Sequence, residues 1–205
     1  MRILAVGAKM SLASVMAVSM LALTGCGDRP LTTTQRVDAS ADDAVEGTGI
    51  GSHDIHVCAD QWTGKILKLV YQKQWEEAPT VIMFPAENRT TQQIDSQIIT
   101  TKLQNELLNS ADGKLRFIVR DNLDEVMAER DRKRQGVVSS GSKKALKGYD
   151  YYIKLKLMSS TARRGADESN YVLMSCQLID AESTELIWSG EYEFKKVGQR
   201  GVQYQ

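Results

Sequence analysis

Apolar residues recur at helical spacing in three segments of the chain. The spacing predicts helices over about 54–74, 91–109 and 123–135. Thr90 and Gln93 fit a capping box at the start of the second helix. In the first helix the apolar positions are Ile55, Ala59, Trp62, Ile66, Leu69 and Val70.

Other segments have the patterns of β-strands. The apolar run 80–84 is typical of a strand buried on both faces, and 115–119 predicts a second strand after the Asp112–Gly113 turn. A helix-length connection between two strands implies parallel, right-handed pairing. Apolar and polar residues then alternate in three further segments, which predict an antiparallel meander with one packed and one partly wet face. These strands begin near Tyr151, Tyr171 and Glu185, and their connections are Ser159–Ser169 and the acidic turn Asp180–Thr184.

Together these elements predict an α+β fold over residues 53–196. Its mixed β-sheet has a parallel βαβ first half and an antiparallel meander second half, and it is flanked by helices. Residues 27–52 hold no aromatic residue and are rich in Thr, Asp and Gly, so we expect a disordered tether there. As a flexible coil this tether has a mean span of about 28 Å. Residues 197–205 are expected to form a flexible tail.

The first 25 residues have the pattern of a secretory leader. Arg2 and Lys9 precede the uncharged, apolar stretch Met10–Leu23, which is shorter than the ~20 residues of a membrane-spanning helix. Its exit, Leu23-Thr24-Gly25-Cys26, resembles the bacterial lipobox. The resemblance implies cleavage after Gly25 and a lipid attached through a thioether to Cys26. An ordinary signal peptide or an uncleaved anchor is the alternative.

Charge and residue counts exclude several classes of function. The chain has 26 basic and 26 acidic residues, so no overall charge favours nucleic acid. It has two histidines, His53 and His56, and a zinc site needs three or four ligands. A phosphate-binding Gly-rich loop and a nucleophile–base motif are both missing from the sequence. We therefore expect no catalytic residues, no metal site, no cofactor and no small-molecule substrate.

Two further features have more than one interpretation. Cys58 and Cys176 both fall on apolar faces and should point into the core, either as a disulfide or as two free thiols. The charged run Glu129–Arg134 ends the third predicted helix. It is either a docking patch for an acidic partner or a solvated face whose cations suit the helix C-terminus.

The sequence resembles a family of envelope proteins in the segment after the first predicted strand. Glu87-Asn88-Arg89-Thr90 leads into a helix containing Ile94-Asp95, and this order is similar to the peptidoglycan-synthase activator lipoproteins called LpoB. The likeness continues through Ile98-Ile99-Thr100, Leu107-Leu108-Asn109-Ser110, Arg116-Phe117, Leu178-Ile179-Asp180 and Ile187-Trp188-Ser189.

This resemblance implies a fold and a function. The fold would be like the N-terminal domain of TolB, a mixed sheet flanked by helices. The function would be a lipid-anchored protein of the outer membrane, facing the periplasm, that binds and stimulates a class A penicillin-binding protein, a bifunctional peptidoglycan synthase. Gly27, rather than Asp, follows Cys26, as in enteric lipoproteins of the outer membrane. A structural or assembly lipoprotein of the envelope, with no effect on a synthase, is the alternative function.

The four residues Glu87, Asn88, Arg89 and Thr90 form the candidate partner-binding site. They follow the end of a buried strand, where polar side chains are held by the scaffold and are free to contact a partner. The alternative is a local role. Asn88 and Thr90 would then satisfy backbone groups of the turn, and Arg89 would pair with Glu87 or Asp95.

Overall fold

The computed structural model describes residues 36–41, 47–137 and 145–199. The predicted leader (1–25), Cys26, most of the predicted tether and residues 200–205 of the predicted tail lie outside the described residues. In the part of the chain that is described, no helix has the length and apolarity needed to cross a membrane.

Helices and strands follow one another in a mixed order. Both long helices and the three long strands arise from the periodic apolar segments of the sequence. The elements are α1 (Ser52–Lys73), β1 (Thr80–Met83), β2 (Glu87–Arg89), α2 (Gln97–Ser110), β3 (Arg116–Phe117), α3 (Leu123–Arg134), β4 (Tyr151–Arg164), β5 (Asp167–Asp180) and β6 (Leu186–Gln199).

The strands form one mixed sheet, as the sequence predicts. Its order is β3-β1-β4-β5-β6, and β2 pairs with β4 beyond the end of β1. The strand β1 is parallel to β3 and β4, and β2 is parallel to β4. The long strand β5 is antiparallel to both β4 and β6, so these three strands form the predicted meander.

The hydrophobic core lies between one face of the sheet and the helices α1 and α2. Alternate residues of β4 and β5 point into it, because side chains of a strand alternate between its two faces. At β6 the indole of Trp188 crosses the backbone of Gly190. A Cβ at Gly190 would stand 2.4 Å from the Trp188 ring and 3.2 Å from Trp62, so these large rings pack only over a glycine. The core residues shared by the two strands and two helices include Trp62, Ile66, Ile99, Leu103, Leu107, Leu155, Leu157, Val172 and Met174.

The predicted start of the second helix is wrong. The helix α2 begins at Gln97 rather than near residue 91, and Ser96 precedes it. Thr90 does not cap a helix, because its hydroxyl is bound within the preceding turn. The buried stripe of α2 is Ile99, Thr100, Leu103 and Leu107, whereas Ile98 is exposed.

The lengths of several strands also differ from the prediction. β4 and β5 continue to a tight turn at Gly165, so most of Ser159–Ser169 is strand and not a connection. β6 extends to Gln199. β3 has two residues instead of five, and the three-residue strand β2 was not predicted.

Candidate functional site

A β-bulge separates β1 from β2. Met83 pairs with Ile153 and Glu87 pairs with Lys156, so four steps along one strand match three steps along the other. Pro85 lies in the bulge and has no N–H to donate to a ladder. The next amide, that of Ala86, donates to the Thr100 hydroxyl of α2 at 3.1 Å instead. Bulges of this kind change the direction of side chains, and here the bulge leads directly into Glu87.

Glu87 and Arg89 lie on the sheet face opposite the helices. The parallel register places them beside Lys156 and Met158 of β4. The Arg89 Nε and one terminal nitrogen donate to Glu87 Oε1 at 2.7 and 2.6 Å, while 61% of the Arg89 side chain remains exposed. The hydrogen bond from Arg89 lowers the pKa of Glu87 below its usual value, and the charges of Arg89, Lys154 and Lys156 lower it further. The cations Arg89, Lys154 and Lys156 therefore lie near Glu87.

Asn88 and Thr90 stabilise the turn that follows. The Thr90 amide and hydroxyl both donate to Asn88 Oδ1, at 2.9 and 2.8 Å. Asn88 Nδ2 donates to the Gln92 carbonyl at 3.0 Å, and the Gln92 amide donates to the Thr90 hydroxyl at 3.2 Å. The local roles predicted for Asn88 and Thr90, and the pairing of Arg89 with Glu87, are confirmed. The partner-binding role of these residues stays a prediction.

Gln92 is a further residue of this site, and no sequence pattern predicted it. Its side chain holds both backbone groups of Ile50: Oε1 accepts from the Ile50 amide at 2.7 Å, and Nε2 donates to the Ile50 carbonyl at 3.1 Å. A Cβ at Gly49 would stand 2.4 Å from Gln92 Oε1, so this approach requires glycine. No local pattern marks Gln92, because its partner lies 42 residues earlier in the chain.

The end of the predicted tether consequently packs on the domain. Ile50 is only 5% exposed. The Thr48 carbonyl accepts from Asn170 Nδ2 at 3.0 Å, and its hydroxyl donates to Glu168 at 2.8 Å. Ile50 therefore packs beside Gln92, in the turn that follows β2.

Cys58, Cys176 and His53 lie in the core or contact the protein backbone. Cys58 and Cys176 are both buried in the core, as predicted, and both are free thiols. Burial raises the pKa of each thiol, which makes it a poor nucleophile. His53 contacts the Ser40 carbonyl. Groups of three or more potential metal-ligating side chains do not occur within the described ranges.

Several side chains of the charged run Glu129–Arg134, at the end of α3, form ion pairs with one another. Glu129 pairs with Arg132 and Lys133, and Asp131 pairs with Arg134, all within the helix. Its basic last turn lies where the negative end of the helix dipole favours cations. These contacts support the interpretation as a solvated helix face.

Comparison with solved structures gives matches to known LpoB proteins. The LpoB C-terminal domain from Salmonella enterica has 18% identity and a TM-score of 0.35, and the match covers 65% of this chain and 97% of that chain. The corresponding Escherichia coli domain has 17% identity, a TM-score of 0.36 and the same two coverages. The NMR structure of E. coli LpoB has 16% identity and a TM-score of 0.34, covering 96% of this chain and 91% of that one. Comparison with the curated proteins gives no match.

Comparison with protein families gives a match over most of the domain. The family model described as the peptidoglycan-synthase activator LpoB matches residues 54–194, which run from the first turn of α1 into β6. The match includes the bulge, β2 with the following Thr90, and the whole of β4 and β5. The chain therefore belongs to the LpoB family of peptidoglycan-synthase activators.

Proposed function

We propose that this protein is an outer-membrane lipoprotein, attached through Cys26, that binds and stimulates a class A penicillin-binding protein. The observation that carries the proposal is the family match over residues 54–194, because the family is described as a synthase activator. The lipobox sequence ending at Cys26 supports the anchor. The protein acts as a binding module and leaves the chemistry to the synthase.

Glu87, Asn88, Arg89 and Thr90 form the docking site in this proposal. Two properties support that assignment. Asn88 and Thr90 fix the backbone by hydrogen bonds within the turn, so little conformational entropy is lost on binding. Arg89 lies on this fixed backbone with most of its side chain in solvent, and arginine is enriched among the residues that dominate interface energies.

The test compares two exposed arginines. The full chain in detergent is titrated against the organism's purified class A synthase, and glycan polymerisation is measured. Arg89→Ala should weaken binding by about 1–2 kcal/mol and reduce stimulation, because an exposed interface arginine is lost. Its melting temperature should not change, since an exposed ion pair contributes little to stability. Arg163→Ala is the matched control: Arg163 pairs with Glu168 at 2.9 Å, and 58% of its side chain is exposed.

Two results would contradict this proposal in different ways. If both variants bind as tightly as the wild type and still stimulate the synthase, Glu87 to Thr90 are not the docking site. The proposed function would then remain. Failure of the wild-type chain to bind or stimulate any class A synthase, together with capture of an envelope-assembly component, would favour the alternative function.

A further inference from the structure

An aromatic groove lies on the sheet face opposite the helices, beside the docking site formed by Glu87, Asn88, Arg89 and Thr90. Strand alternation places Phe84 on this face, where its ring meets that of Tyr152 edge-on with centroids 5.8 Å apart. The ring of Phe84 is 41% exposed. The groove has a volume of about 510 Å³, and its lining includes Phe84, Pro85, Tyr149, Tyr152, Lys154 and Glu87.

The groove has a cationic border. Lys154 lines it directly, and Lys156 and Arg89 follow on the same face. Among the described residues of the lining, the one carboxylate is that of Glu87, and Arg89 pairs with it. On the neighbouring strand β5, the residues opposite Lys154 and Lys156 are the uncharged Gln177 and Ser175.

We propose that this groove is the apolar half of the docking surface, and that it takes an aliphatic or aromatic side chain of the synthase flanked by carboxylates. The proposal rests on the proposed function and adds the chemistry of the contact. Aromatic rings beside a bulge offer an open pocket that one apolar anchor would desolvate on binding, and such anchors dominate the energy of many interfaces. The cations around the pocket select acidic neighbours on the partner and accelerate encounter. Arg89 then contacts the border of the same surface.

The test again uses the full chain in detergent and the purified class A synthase. Phe84→Ala should raise the Kd about tenfold or more, and a cooperative thermal unfolding transition shows that the variant is folded. Tyr71→Ala is the matched control, because the Tyr71 ring is 43% exposed but lies on α1, on the other side of the sheet. Lys154→Glu should weaken binding and flatten its dependence on ionic strength, whereas Lys68→Glu on α1 should do neither.

Each other outcome overturns a defined part of the proposal. Normal binding by Phe84→Ala and Lys154→Glu, with binding lost in Arg89→Ala, would remove the groove from the interface and keep the function. Self-association of the wild type that Phe84→Ala abolishes in sedimentation experiments would assign the groove to a second copy of the chain. No binding by the wild type would overturn the function and, with it, the occupant of the groove.

Discussion

Asn88, Thr90 and Gln92 show which side-chain contacts a local sequence pattern can predict. The roles of Asn88 and Thr90 follow from their own side chains, which bond to groups two to four positions away. Sequence reasoning finds such contacts because Asn and Thr commonly close turns. Gln92 could not be assigned in this way. Its two hydrogen bonds reach Ile50 across the fold, and nothing in the neighbouring sequence indicates them.

Gln92→Ala should lower the free energy of unfolding by about 1–2 kcal/mol. The substitution leaves both backbone groups of the buried Ile50 without their partner, and an unsatisfied buried polar group is costly. Denaturant unfolding measures the loss, and hydrogen exchange should show a faster amide at Ile50. Gln93→Ala is the control, because Gln93 is the same residue type in the same loop and is exposed. Equal stability of the two variants would show that the contact to Ile50 contributes nothing.

At the scale of elements, periodicity predicts well where one face is packed and the other is wet. The helix α1 and the inner parts of β4, β5 and β6 meet that condition. Beyond Ser159 the residues of β4 become largely exposed on both faces, so the alternation stops although the hydrogen-bonded ladder continues. Such a segment has the composition of a loop. The three-residue strand β2 was missed because its pairing with β4 depends on the fold as a whole and not on its own sequence.

Asp150 connects the beginnings of the parallel strands β1 and β4. Its Oδ2 accepts from the Thr80 amide at 2.7 Å and from the Thr80 hydroxyl at 2.8 Å, while its own amide donates to the Thr80 carbonyl at 2.8 Å. Asp150→Ala should therefore destabilise the domain by about 1–2 kcal/mol, since it removes an acceptor from the amide and hydroxyl of the buried Thr80. Asp150→Asn, which keeps an acceptor oxygen, should lose less in chemical denaturation. An alanine variant as stable as the wild type would contradict this role.

For the whole molecule, the sequence predicted the parallel and antiparallel halves of the sheet but not the order of its strands. The parallel pairing follows from the helix-length crossover between β1 and β3. The placement of β1 between β3 and β4 depends on which apolar faces pack together, and periodicity carries no information about that choice. The packing of Thr48 and Ile50 on the domain was not predicted either, because their partners Asn170 and Gln92 are distant in the sequence.

Anchoring and docking can be separated by changing Cys26 alone. Cys26→Ser removes the thiol that lipid attachment requires, so the chain should accumulate as precursor and leave the membrane fraction. The domain would be unchanged, and the purified variant should still bind the class A synthase with the Kd of the wild type. Stimulation in cells should nevertheless fall, because a tethered module has a higher effective concentration at its partner than a free one.

Cell fractionation measures the loss of membrane association, and incorporation of labelled cell-wall precursors measures the loss of stimulation. Thr33→Ala, in the predicted tether, controls for expression. Unchanged membrane association of Cys26→Ser would disprove the lipid anchor, whatever its effect on the synthase.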